Sequence, residues 1–141
     1  MEEKQKTTLQ RIMFAWVEES MAATSPLRAV LTDFTRIEGV EGVAVISKDG
    51  FVVDYILPGG GGIDLEALAA MITTVYGAAS RLGEELKLGD IDNLIIEFRG
   101  HYVLFQDLGP ALFTLLATKG AILGRLRYEM RRQRDRIKAA L

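Results

Sequence analysis

The run Val43-Ala44-Val45-Ile46 constrains this chain more than any other stretch. Four consecutive apolar residues, three of them β-branched, present no polar face to water. A strand with that pattern is buried on both sides. Lys48-Asp49-Gly50 follows, and Asp-Gly readily takes the positive φ of a hairpin turn. Residues 51–57, from Phe51 to Leu57, read as the return strand.

The flanking segments supply the cover. Residues 7–21 read as an amphipathic helix, with Leu9, Ile12, Met13, Trp16, Val17 and Met21 at i, i+3, i+4 spacing. Ser25-Pro26 opens a second helix, because serine caps and proline suits the first helical position. Its stripe is Leu27, Val30, Leu31, Phe34 and Ile37, and Gly39 ends it. After the connector Pro58-Gly59-Gly60-Gly61-Gly62, Asp64 caps the longest helix, expected over residues 64–86. Leu65, Leu68, Ile72, Val75, Ala79, Leu82 and Leu86 form its expected core stripe. A second face holds Ala67, Ala70, Met71, Thr74 and Ala78, small or adaptable residues where a solvated back carries charge. That face reads as a partner surface. Three strands follow at 94–99, 102–107 and 111–118. A last helix over 121–141 has Ile122, Leu126, Met130, Ile137 and Leu141 as its stripe.

The element order predicts an α+β fold. It is a three-layer α/β/α arrangement with a central five-stranded antiparallel sheet. One long helix lies on one face and the terminal helices on the other. Residues 1–24 read as an amphipathic extension and 25–141 as the domain proper.

Composition excludes several chemistries. The 141 residues contain no cysteine and one histidine, so disulfides, thiol catalysis and Cys-ligated metals are absent. The glycine run lacks the Lys and Ser/Thr of a phosphate loop, and Asp64 and Glu66 would repel phosphate. His101 follows Gly100 in a tight turn, without a second ligand at a metal-site spacing. No serine sits in a Gly-x-Ser-x-Gly elbow. The expectation is a chain that is not an enzyme and holds no metal or cofactor. No run nears 18 apolar residues, and the first residues do not form a basic targeting segment. The expected location is therefore the cytoplasm.

The net charge of −2 conceals a division: residues 119–141 carry +6 and residues 1–118 carry −8. Cations suit the end of a helix, and an acidic body can attract them. Arg127, Arg131 and Arg134 are nevertheless candidates for accessory contacts with an acidic partner or anionic lipid, together with Trp16 on the first helix. Few aromatics accompany the arginines, so nucleic acid is not an expected partner.

The stretch Ile37-Glu38-Gly39-Val40-Glu41-Gly42-Val43-Ala44-Val45-Ile46-Ser47-Lys48-Asp49-Gly50-Phe51-Val52-Val53 resembles the opening of the Roadblock/dynein light chain family. There a helix leads into a Gly-Val turn, a strand, an Asp-Gly hairpin and a second strand. The helix over 64–86, the hairpin over 94–104, the closing strand over 112–117 and a final helix match as well. The resemblance spans about residues 26–137. It implies a non-catalytic dimer, with central helices paired and edge strands joining two sheets. Ala67, Ala70, Met71, Thr74, Ala78, Ile95 and Glu97 would then form the dimer or partner interface. Prokaryotic members resemble regulators of Ras-like small GTPases, and others serve as scaffolds, with any membrane contact peripheral. The resemblance assigns no role to the first helix or the Arg-rich end, and no catalytic arginine.

Overall fold

In the computed structural model of this chain, the structure describes residues 8–13, 25–57 and 62–141. Residues 8–13 are helical and exposed; the remainder of the expected first helix, Trp16 included, lies outside the described residues. Helix α1, Pro26–Thr35, starts where expected: the Ser25 hydroxyl accepts from the Arg28 N–H at 3.4 Å. It buries Leu27, Val30, Leu31 and Phe34.

The chain then turns at Gly39, which has φ +91°. A Cβ there would lie 2.6 Å from the Ala121 Cβ and 2.8 Å from its backbone. Glycine is required twice over at this position, by conformation and by space. Strand β1, Val40–Ser47, leads through a turn closed by Gly50 N–H to Ser47 O at 2.9 Å. Strand β2 is Val52–Ile56. Helix α2, Leu65–Glu85, is capped by the Asp64 carboxylate, which accepts from the Ala67 N–H at 3.2 Å. Strands β3 (Leu94–Glu97), β4 (His101–Asp107) and β5 (Ala111–Thr118) precede helix α3, Leu123–Ala139.

All strand pairs are antiparallel, in the order β2-β1-β5-β4-β3. The run Val43 to Ile46 therefore sits on one of the two inner strands most deeply covered, and all four residues are buried. Alternation divides them between two cores. Val43, Val45, Leu104, Phe113 and Leu115 face α1 and α3, where Leu31, Phe34, Leu126, Met130 and Ile137 meet them. The Phe34 and Phe113 rings stack at 4.8 Å between centroids, tilted by 50°. Ala44, Ile46, Phe105 and Leu112 face α2, which contributes Ala69, Ile72 and Tyr76. The five-stranded sheet, the long helix on one face and the two helices on the other follow the sequence expectation.

Three local expectations need correction. β3 ends at Glu97 rather than residue 99, because the Phe98 N–H closes the turn onto His101 O at 2.8 Å. Ile122 precedes α3 and is exposed, as Leu141 is, so the buried stripe of that helix is Leu126, Met130 and Ile137. On α2, Val75, Leu82 and Leu86 lie outside the core; the buried line is Ala69, Ile72, Tyr76 and Gly83. Ala69, Ile72 and Tyr76 are the residues that meet the sheet, and Gly83 is buried by the turn after the helix, where a Cβ would lie 3.1 Å from Gly89 O.

Gly39→Ala should destabilise the domain by at least about 2 kcal/mol, since it adds strain at positive φ and a steric clash. Urea unfolding followed by circular dichroism measures it. A loss below about 0.5 kcal/mol would contradict the close packing of Gly39 on Ala121.

Candidate interaction surfaces

The outer side of α2 is the first candidate. With Ile72 and Tyr76 turned inward, 100° per residue places Ala67, Ala70, Met71, Thr74 and Ala78 outward. All five are exposed, Met71 at 59%. Thr74 adds little polarity, because its hydroxyl donates to Ala70 O at 2.7 Å. The result is a helix surface of small side chains around one flexible methionine, open to solvent along several turns.

Strand β3 is the second. It has β4 on one side and, among the described residues, nothing hydrogen-bonded on the other, so its backbone forms a sheet edge. Ile95 is half-buried against the α1/α3 core. Glu97 is exposed, and its carboxylate accepts from the Lys119 ammonium at 2.6 Å. That bond draws the Glu97 carboxyl below its ordinary range and the Lys119 ammonium above its own. Lys119 also lies 4.4 Å from the Tyr102 ring centroid. Ile95 and Glu97 therefore belong to the edge and do not extend the α2 face.

The basic helix divides. Arg136 pairs with Asp33 on α1 at 2.9 Å and Arg132 with Glu129 at 3.1 Å. Arg134 donates to Asp107 O at 3.2 Å. Arg127, Arg131 and Arg134 share a flank of α3 at i, i+4, i+7. Arg127 and Arg131 are exposed and have no carboxylate at ion-pair distance among the described residues. His101 opens β4 with Nε2 3.2 Å from the Glu41 carboxylate, both half exposed, as a turn residue would be. Among the described residues, no group of three His, Asp or Glu side chains is placed to hold a metal ion. No helix there is long and apolar enough to cross a membrane.

Sequence reasoning missed one joint. Asp107, which the sequence places only at the end of a strand, holds three layers together. Its carboxylate accepts from Lys48 Nζ at 2.9 Å, from the Tyr76 hydroxyl at 3.0 Å and from the Gly109 N–H at 2.7 Å. Its backbone oxygen takes Arg134. The Asp-x-Gly spacing signals the local bond; the partners 59 and 31 residues away have no signature. These residues border a polar cleft of about 670 Å³ between the end of α2 and α3. Burial alone would raise the Asp107 carboxyl, but the bonds from Lys48, Gly109 and Tyr76 outweigh it and hold it below its ordinary value. Burial, and then the bond to Asp107, raises the Tyr76 hydroxyl.

A depressed carboxyl stabilises the fold above its unfolded pKa, near 4, and that contribution is lost as pH falls through the lower folded value. Asp107→Asn should cost about 1–3 kcal/mol near neutrality. The melting-temperature gap to the wild type should close below about pH 4. A gap independent of pH would refute the electrostatic part of the joint.

The Roadblock/LC7 domain family model matches residues 27–117. An uncharacterized protein of Methanocaldococcus jannaschii is 35% identical over 115 residues, covering 82% of this chain and 96% of that protein. Among solved structures, Myxococcus xanthus MglB is similar with a TM-score of 0.76 at 16% identity, over 82% of this chain and 94% of that one. MglB in a tetrameric arrangement is similar with a TM-score of 0.72 at 20% identity, over 81% and 86%. At such identities the likeness to the solved structures concerns the fold.

Proposed function

Because the chain belongs to the Roadblock/LC7 family, we propose that it is a non-catalytic, dimeric module of the cytoplasm that binds and regulates a Ras-like small GTPase. The observation that carries this reading is the outer face of α2. A soluble helix with one side in the core normally turns charge outward. Here Ala67, Ala70, Met71, Thr74 and Ala78 lie open instead. A second α2 laid against that face would bury it, and the small side chains would allow close approach. The unpaired edge of β3, at Ile95 and Glu97, would meet its counterpart in the same dimer. The tetrameric arrangement of MglB supports self-association as a property of this fold. Regulation then proceeds by contact: the dimer presents a rigid surface that shifts the conformation of the bound GTPase, without contributing a catalytic group.

A second reading rests on Arg127 and Arg131, whose charges have no carboxylate partner among the described residues. They suit a scaffold that docks an acidic partner or an anionic membrane surface. Sedimentation with anionic vesicles at low and high salt separates the two readings. Salt-sensitive binding lost in an Arg127→Ala/Arg131→Ala variant supports the scaffold, and no binding at low salt removes it.

Light scattering after size exclusion should find a wild-type dimer. Ala78→Glu, an exposed position, should leave the fold intact by circular dichroism and weaken the dimer by about 3 kcal/mol, roughly a hundredfold. A wild-type monomer would overturn the reading of this face. Titration against the Ras-like GTPases of the same genome, loaded with GDP or a GTP analogue, tests regulation. Absence of binding to every one of them in both states would end the proposal.

A further inference from the structure

The polar cleft beside Asp107 is larger than the joint needs. It encloses about 670 Å³, a size that accepts a small organic molecule, and Ile91 is its one aliphatic lining residue. Its floor is already fixed. Lys48 and Tyr76 both donate to the Asp107 carboxylate, and Arg134 is held on the Asp107 backbone oxygen.

The groups above the floor are not engaged in this way. Glu84 comes from the last turn of α2, and Asp90 and Asp92 from the segment before β3. All three are exposed, and none has a cation at ion-pair distance among the described residues. Arg131 enters the cleft from α3, equally exposed and equally unpaired there. Three carboxylates on the α2 side and one guanidinium on the α3 side therefore border the cleft without pairing across it. Their formal sum is −3 + 1 = −2.

A buried group gives a second, independent indication. Phe105 faces α2, so Gln106 points to the other side of the sheet, where its Nε2 donates to Met130 O at 3.0 Å. Gln106 is 6% exposed and lines the cleft. Its Oε1 is buried and has no donor among the described residues. A desolvated acceptor left without a donor is costly. Beside the cleft, a bound molecule can supply that donor.

The other hollows lack this combination. Between α1 and α3 the carboxylates are engaged internally, Asp33 by Arg36 and Arg136, and Glu129 by Arg132. The groove of about 170 Å³ under Leu68 holds an unpartnered Thr114 hydroxyl but no charged side chain.

We propose that the cleft binds a free basic amino acid, of the arginine or lysine type. Its side-chain cation and α-ammonium meet Glu84, Asp90 and Asp92, and its carboxylate meets Arg131. One of its N–H groups supplies the donor that Gln106 Oε1 lacks. A zwitterion with a neutral side chain leaves more of the negative surplus standing, and a purely cationic ligand meets Arg131 unopposed. The site rests on neither the GTPase reading nor the dimer: Ser80, which lines the cleft, lies on the side of α2 opposite Met71 and Ala78.

Calorimetric titration of the full chain with L-arginine at fixed ionic strength should give saturable heat, with a Kd at or below about 1 mM. L-Arginine should also raise the melting temperature more than glycine at the same concentration. Asp92→Asn and Arg131→Ala change exposed, unpaired side chains, so both variants should melt as the wild type does. Each should weaken L-arginine by about threefold or more. Agmatine, which lacks the carboxylate, should lose affinity with Asp92→Asn and not with Arg131→Ala. Nα-acetyl-L-arginine, which stands for a peptide C-terminus, should bind more weakly than the free amino acid. Four results would each overturn the site: no saturable heat up to about 10 mM L-arginine, an affinity untouched by either substitution, agmatine binding as tightly as L-arginine, or the acetylated form doing so.

Discussion

Everything in this fold follows from a sheet whose inner strands must be dry on both faces and whose two faces are covered unequally. β1 and β5 place apolar residues on each side: Val45 and Phe113 toward α1 and α3, Ile46 and Leu112 toward α2. Five strands at a spacing near 4.8 Å make a surface roughly 20 Å across, and a helix is about 10 Å wide. Two helices cover the first face. One helix on the second face covers the middle strands and leaves the flanks. The part-exposed Tyr55, the groove beside Leu57 and the polar cleft at Asp107 are the margins of that single helix. The outer side of α2, with no described residue laid over it, completes the uncovered surface.

The central parts were legible because their signals are local. A continuous apolar run, a serine before proline, and Asp-Gly between strand patterns each depend on neighbours within a few residues. The face of α2 was legible only in part. Its residues 65–86 are apolar on so much of the circumference that two stripes fit the sequence. Val75 and Leu82 look as suited to the core as Tyr76. What decides is the packing of Ala69, Ile72 and Tyr76 on Ala44, Ile46, Phe105 and Leu112, and the helix sequence does not contain that sheet. The same ambiguity does not reach the outer face, since alanines at 67, 70 and 78 fall outside the core in either register and are exposed.

Asp107 shows where local reading stops. It lies at the end of β4, where β3 is too short to follow: the β3–β4 pairs run only to Leu94 and Phe105. Past that point β4 has no partner on its outer side, and the open corner is closed by side chains. Lys48 arrives from the first hairpin, Tyr76 from α2 and Arg134 from α3. Each is unexceptional in its own segment. Their convergence depends on strand order, which places β5 between β1 and β4 and brings the first hairpin beside the last.

The charge division sharpens in the same way. A +6 helix on a −8 body suggested either attraction within the molecule or display to a partner, and the structure contains both in different residues. Arg136 and Arg134 are engaged by α1 and by the Asp107 backbone, and Lys119 by Glu97. Arg136 and Lys138 also lie in the last turn of α3, where the helix dipole favours cations. That accounts for the end of the helix. Arg127 and Arg131 lie earlier, away from the helix end and from any described carboxylate, so neither effect explains them. A docked partner or an anionic surface would feel those two charges first, with little internal competition and with the salt sensitivity of exposed charges.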